Sequence, residues 1–588
     1  MIKATGSEII VKLLELEGIK TVAGIPGGSI LPLYDTLNKS SIKHILVRQE
    51  QAAGFIAQGM TRVTGKPAVC MATSGPGAMN LLTAIADARC DSIPIIAITG
   101  QVNTNLIGTD AFQEADTFGL SFPITKHSMM IKDPKNLLTA IPEAFEIAVS
   151  GRPGPVLIDI PRDVQTSVVE FEKWPVIKKI KYSGDGKFCT PKKEYPARIN
   201  EMSLALLSSK KPVLYLGGGC NSEAASVGIK KFLEQFECPV VQSLMGIGAV
   251  PKSYKNNLGM VGMHGSYAAN LAMFEADVVL ACGVRFDDRA TGVIEKFCPN
   301  AKILHIDIDA AEINKILPSS VSLVCDVESA IPLLTESVAE MRKNSSVKNV
   351  GLAKLLIEKS ETARKMALSN LEKVFAQNDS VLEGRNKKLT TANPREFIKE
   401  LPVMAAKAGV SSNDIVVTTD VGQHQMWAAQ YYPVEHARQF LTSGSLGTMG
   451  FGLPTAIGAS LACGKKKRVV CFSGDGSIMM NIQELATLSE LGTNVTVIVF
   501  QNGTLGMVKQ QQQYLFNKNY SASVFEKQPD LLSIAKGFGI DAVDADTDKE
   551  WYLKAFKPGP HFVKLTISPD EDVLPYVSAG KANVDSLR

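Results

Sequence analysis

The apolar residues of this chain fall in short unbroken runs that end in glycine. PAVCMATSG, PIIAITG, PVLYLGGG, ADVVLACG, RVVCFSGDG and VTVIVFQNG all share this form. A run with no polar face is a strand covered on both sides, as in a parallel sheet, and the glycine marks the turn beyond it. Between the runs lie longer stretches with helical spacing, such as QAAGFIAQGMTRV and PGAMNLLTAIADA. Strands alternating with helices predict an α/β protein with open parallel sheets, whose ligands bind beyond the carboxyl ends of the strands. The opening MIKATGSEIIVKLLELEG predicts an amphipathic helix. Later, a strand is expected at Arg468 to Phe472, a helix at Met479 to Leu491, and a strand at Val495 to Phe500.

The pattern lapses at the lysine-rich stretch Lys173 to Lys193 and at the charged stretch Met341 to Thr391. These lapses predict an N-terminal domain (1–182), a central domain (190–340), a connection (341–391), a third domain (392–567) and an irregular tail (568–588). Each domain is expected to hold a parallel sheet flanked by helices. A chain of 588 residues excludes a single small binding module. With 45% hydrophobic and 21% charged residues it can bury a core, which excludes global disorder. The near balance of 62 basic and 59 acidic residues argues against a nucleic-acid footprint. The ten cysteines include no C-x-x-C pair, so they predict buried thiols in a reducing compartment. The seven histidines include no H-E-x-x-H, which disfavours a histidine-built metal site. Without a secretory h-region or a long apolar run, the expectation is a cytoplasmic protein with no membrane span.

The strongest chemical signal is Gly474-Asp475-Gly476-Ser477 after one strand, with Asn502-Gly503-Thr504 after the next. A hard cation such as Mg²⁺ takes oxygen ligands and shares them with substrate phosphates. A carboxylate from Asp475, an amide oxygen from Asn502 and a backbone carbonyl at Thr504 suit a diphosphate-bound Mg²⁺. Gly474 and Gly476 let the backbone approach, and Ser477 with a helix N-terminus offers N–H donors to phosphate.

This arrangement resembles the fingerprint of thiamine-diphosphate (ThDP) enzymes. RQEQAAGFIAQGMTRVTGKPAVCMATSGPGAMNLLTAIADA, LIGTDAFQEAD, SGRPGPVLIDIPRDVQ, GVRFDDRATG, HIDIDAAEI, DVGQHQMWAAQYY and SGSLGTMGFGLPTAIGA narrow the resemblance to the acetolactate synthase catalytic subunits. It runs nearly end to end. It implies pyrimidine-binding and diphosphate-binding outer domains and a central Rossmann-like domain for FAD in a non-redox role. Glu50 is then the carboxyl group that hydrogen-bonds N1′ of the aminopyrimidine, and its place after an apolar strand favours its protonated form. Gly28 and Gln113 face the reacting carbonyl. Val421, Gly422, Gln423 and His424 line the diphosphate, and Met449 wedges under the cofactor's bend. Arg152, Gly217, Gly218, Gly219, Leu244, Met263 and His264 approach the flavin, together with Arg285, Asp287, Arg289, Asp307 and Asp326. Arg285, Met507 and Gln511 meet the substrate.

The implied reaction decarboxylates pyruvate and joins the remaining two-carbon unit to pyruvate or 2-ketobutyrate, toward branched-chain amino acids. The implied assembly is a homodimer or homotetramer, because Glu50 and Asp475 lie on different domains. A small regulatory subunit is common in the family. The chain departs from the family at Gln511, where Trp is usual, and at Asn103, Ser29, Ile25 and Gln49. Loss of the indole wall predicts weak selectivity for 2-ketobutyrate, since one methylene in a pocket is worth about 1–3 kcal/mol. Together Gln511, Asn103 and Ser29 predict low sensitivity to sulfonylurea-type inhibitors. Another ThDP carboligase or transferase, acting on glyoxylate or sulfoacetaldehyde, is the alternative.

Overall fold

Three six-stranded sheets, each parallel throughout, organise the chain in the computed structural model, which describes residues 1–177, 189–345, 360–371, 373–374 and 392–587. The first sheet runs Lys43–Leu46, Thr21–Gly24, Ala68–Ala72, Ile95–Gln101, Val156–Pro161, His127–Met130. The third runs Phe440–Leu441, Ile415–Thr419, Arg468–Gly474, Val495–Gln501, His561–Thr566, Asp541–Asp544. Counted in chain order within each six-stranded sheet, both read 2-1-3-4-6-5. The middle sheet runs Asn257–Met260, Val240–Gln242, Pro212–Leu216, Val278–Cys282, Lys302–Asp307, Val321–Val324, which reads 3-2-1-4-5-6. That is the doubly wound order of dinucleotide-binding sheets, with its switch point between the first and fourth strands.

The α/β expectation of three parallel sheets flanked by helices therefore holds. Two local expectations change. The first residues are a strand, Ile2–Thr5, paired antiparallel with Val168–Phe171, and the helix begins at Gly6. Thr5 caps it by accepting from Glu8 N, and Glu8 Oε2 accepts from the Thr5 N–H, so both orphan donors are satisfied where the strand ends. The helix expected at Met479 to Leu491 spans only Glu484–Leu491, after a separate turn at Asp475–Ile478. Between them Asn481 donates its side-chain amide to Gly450 O at 2.7 Å, and Met479 and Met480 stay exposed. The helical spacing is present there, but the polar tie prevails.

Helix Glu50–Thr64 of the first domain lies against helix Gly452–Cys463 of the third. Their backbones touch: a Cβ on Gly59 would sit 2.2 Å from Thr455 O, and one on Gly458 would sit 2.0 Å from Ile56 O. Around this crossing one hydrophobic cluster runs through both domains, from Ala23 and Ile56 to Leu453 and Val469. The central domain has its own core around Leu214, Ile229 and Leu304. Of the stretch 341–391, residues 360–371 form helix against this domain, where Arg364 Nη1 donates to Leu207 O and Ser209 O, each at 3.0 Å. Residues 346–359, 372 and 375–391 lie outside the described residues, as do 178–188 of the lysine-rich stretch. The tail beyond Ser568 straps helix Gly506–Leu515 to the central domain: Lys509 pairs with Asp570 at 2.7 Å, and Val577 N donates to Met263 O at 3.0 Å. All ten cysteines are free thiols. No helix among the described residues is long and apolar enough to cross a membrane.

Candidate active site

Asp475 follows the third strand of its sheet directly, and burial pushes its carboxyl above the usual range. Its Oδ2 accepts from Asn502 N (3.0 Å), Gly503 N (2.7 Å) and Gln528 Nε2 (2.9 Å), and Oδ1 from Gly476 N (3.0 Å). Those N–H groups pull in the opposite direction, toward the anion. Asn502 Oδ1 accepts the Thr504 N–H and hydroxyl, both at 3.0 Å, while Nδ2 donates to Gln423 Oε1 at 3.3 Å. Among the described residues no group of three or more His, Cys, Asp or Glu could hold a metal. A cation here would rest on one carboxylate, one amide oxygen and a backbone carbonyl. That sparse set fits a hard ion whose other ligands are phosphate oxygens.

The loop after strand Ile415–Thr419 faces this pair. Asp420 Oδ1 accepts from Val421 N (2.9 Å) and Gly450 N (2.8 Å), which joins the Val421–His424 turn to the Met449 loop. Burial pushes its carboxyl up to about 6. His424 is buried, its pKa is lowered to about 3 by desolvation, and its Nε2 has no hydrogen-bond partner. Its ring lies against Gly422 and Gly474, where a Cβ would be 2.8 and 3.0 Å from ring atoms. A neutral imidazole with a spare nitrogen beside the Asp475 turn fits a bound diphosphate.

The central crevice opens at the switch point. Gly217 and Gly219 are required there by protein contacts: a Cβ would meet Gly283 O at 2.0 Å and Gly283 Cα at 3.0 Å. Asp307 is pushed up to about 7 by burial, and Asp326 is raised by the same cause. Such acceptors suit ribose hydroxyls at this place in the fold. Arg152 Nη1 pairs with Glu312 at 2.7 Å and Asp309 at 3.2 Å, bridging first and central domains. Arg285 Nη1 donates to Cys90 O at 2.6 Å and its other arm to Ser445 Oγ. Asp287 caps the short helix Asp288–Thr291. Arg289 Nη1 reaches Met263 Sδ at 3.8 Å, and His264 Nδ1 lies 3.4 Å from Pro575 O.

One cavity of about 1490 Å³ joins the two regions. Every flavin-side, diphosphate-side and substrate-side residue named from the sequence lines it, from Arg152 and Gly217 to Met449, Asp475, Asn502, Thr504, Met507 and Gln511. Pockets for one ligand hold about 300–1,000 Å³, so this volume has room for two. Glu50, Gly28 and Gln113 do not line it. They lie at the carboxyl ends of the first sheet. Glu50 begins helix Glu50–Thr64, capped by the Gln49 side chain, and Glu50 Oε2 accepts from Asn80 Nδ2 at 3.0 Å. Gln113 has φ +59°, a left-handed backbone, and lies against Gly75. Ser29 is buried on Thr73, 2.9 Å away, and with Asn103 also lies off the cavity.

The sequence reading missed Asp420, Asn481, Gln528 and Asp159. The last is buried, pushed up to about 7 by desolvation, and bonds Thr99 Oγ1 (2.7 Å) and Gln101 Nε2 (3.1 Å). Gln101 in turn holds Ala115 O, beside Gln113. Asp159 could have been noticed as a lone acid in the apolar run VLIDIP. Asn481 carries no such signal.

The sequence that builds this site is matched by known proteins. The N-terminal TPP binding domain model of thiamine pyrophosphate enzymes covers residues 4–120, their central-domain model 199–334, and their C-terminal TPP binding domain model 420–563. Fold and site define a thiamine pyrophosphate enzyme. The chain is 45% identical over 589 residues to the acetolactate synthase isozyme 1 large subunit of Escherichia coli K12, covering 99% of this chain and 97% of that protein. It is 41% identical to a probable acetolactate synthase large subunit of Methanocaldococcus jannaschii, with 98% and 94% covered. It is 40% identical to the Lactococcus lactis acetolactate synthase large subunit, with 98% and 95% covered. The chain belongs to the acetolactate synthase large-subunit family.

Proposed function

We propose that this chain is the catalytic subunit of an acetolactate synthase. It releases CO₂ from pyruvate and joins the remaining two-carbon unit to a second 2-keto acid, pyruvate or 2-ketobutyrate. The observation that carries this reading is a matched pair of sheets with one strand order. One presents Glu50 at its carboxyl ends, and the other presents Asp475 with Asn502. Thiamine diphosphate, when bound, supplies the carbon nucleophile and the electron sink. Glu50 holds the proton at N1′ of the aminopyrimidine. Asp475, Asn502 and the Thr504 carbonyl hold Mg²⁺, and His424 with the Gly474–Ser477 turn holds the diphosphate. Met449, which lines the cavity, would pack against the bound cofactor and help orient it. Arg285 matches the acceptor carboxylate in bidentate fashion.

The central crevice takes FAD. The overall reaction is redox-neutral, so FAD bound there would not be consumed. Glu50 lies off the cavity that Asp475 lines, so a second copy completes each site in a homodimer or homotetramer. The relatives are named large subunits, and a small partner subunit is proposed here as well.

The test is incubation of the purified chain with ThDP, Mg²⁺, FAD, pyruvate and 2-ketobutyrate, with products read by NMR. Acetohydroxy acids are expected. Glu50→Gln should lower kcat by about 10²–10⁴-fold while both cofactors stay bound. Bound cofactors without acetohydroxy acids would overturn the reading.

A further inference from the structure

Arg62, Asp87 and Asp91 form a buried cluster that the proposed chemistry does not use. Arg62 lies on helix Glu50–Thr64, Asp87 on helix Pro76–Cys90, and Asp91 at that helix's end. Their side chains are 4%, 0% and 0% exposed. Arg62 Nη2 is 2.9 Å from Asp91 Oδ2 and 3.5 Å from Asp87 Oδ2. Burial pushes the Asp87 carboxyl above its usual range, and one guanidinium between two carboxyl groups is costly to bury unless their spare lone pairs find donors.

The donors come from another domain. Asp91 Oδ2 accepts Gly444 N and Oδ1 accepts Ser445 N, each at 2.9 Å. Asp87 Oδ1 accepts the hydroxyls of Ser443 and Thr448, the latter at 3.0 Å. Arg62 Nη1 donates to Thr442 O at 3.0 Å, and its guanidinium lies 5.0 Å from the Phe451 ring centre. The chain from Thr442 to Ser445 is gripped at each residue, and again at Thr448, immediately before Met449. On the cavity side the same loop meets Arg285, through Ser445 Oγ, and the helix of His424, through Gln425 Nε2 to Ser443 O at 2.9 Å.

We propose that Arg62, Asp87 and Asp91 are positioning residues: they fix the loop 442–448, and through it hold Met449 against the cofactor and Arg285 toward the acceptor. The second half of this proposal rests on the thiamine-diphosphate reading. An aspartate at 91 is needed because it offers two oxygens to two consecutive amides. Asparagine would turn an NH₂ group toward one of them.

Asp91→Asn in the full-length chain tests this with three readouts. In the cofactor-free protein, amide hydrogen exchange in 442–449 should quicken about tenfold or more, with the rest of the chain unchanged. In the protein loaded with ThDP, Mg²⁺ and FAD, deuterium exchange at the thiazolium C2 should slow by about 10²-fold. The kcat for pyruvate should fall with it while KM changes less than about threefold. Unchanged amide exchange would overturn the proposal. Faster amide exchange with unchanged C2 exchange and kcat would reduce the cluster to domain docking, and that too overturns it. If Asp91→Asn does not fold, Thr448→Val removes one donor from Asp87, leaves the ions in place and is read the same way. A wild-type chain that does not accelerate C2 exchange sinks the functional reading instead, and amide exchange still decides whether the cluster holds the loop.

Discussion

Gln511 lines the cavity on helix Gly506–Leu515, one turn after Met507. The sequence resemblance implies Trp as the family's usual residue here, and we propose that an indole wall at this place would favour the longer acceptor. Gln511→Trp should therefore raise the yield of acetohydroxybutyrate over acetolactate by about tenfold in a competition of pyruvate with 2-ketobutyrate. An unchanged product ratio would remove Gln511 from acceptor choice. At this scale the sequence was legible where a residue sits in a motif with a strand before it. Asp475 and Asn502 each follow an apolar run, and the structure bonds one to the other. Asp420 and Asn481 were illegible, because their partners are backbone groups of a loop tens of residues away.

Among the elements, the crossing of helices Glu50–Thr64 and Gly452–Cys463 decides how first and third domains meet. The approach at Gly458 leaves no room for a methyl group against a backbone carbonyl. Gly458→Ala should cost about 1–3 kcal/mol or more, as overpacking of a tight core does, and a lowered urea midpoint would show it. A midpoint equal to wild type would mean that the helices slide apart without cost. Strands were readable from unbroken apolar runs, since burial on both faces leaves few other readings. Helix limits were less readable. Side-chain ties to distant backbone set them, as Asn481 does before Glu484.

For the whole molecule, the arrangement to explain is that Glu50 lies off the cavity that Asp475 lines, which we propose makes each of them half of a site. Glu50→Gln and Asp475→Asn should each be nearly inactive alone. Unfolded together and refolded, they should recover about a quarter of wild-type activity, because half of randomly paired dimers are mixed and each mixed dimer keeps one intact site. No recovery would place both residues in one site of one chain. The three-sheet plan followed from apolar periodicity and glycine turns. The shared strand order of the outer sheets did not, because pairing between sequence-distant strands leaves no mark on local pattern. Gly59 and Gly458 extend this to how such a protein tolerates change. Neither lines the cavity, yet each is closed to every side chain. A saturation-mutagenesis map would score them as intolerant as Asp475. A variant that loses activity at these two positions therefore reports a failed seam between domains, and a screen for catalytic residues must measure cofactor binding to tell the two apart.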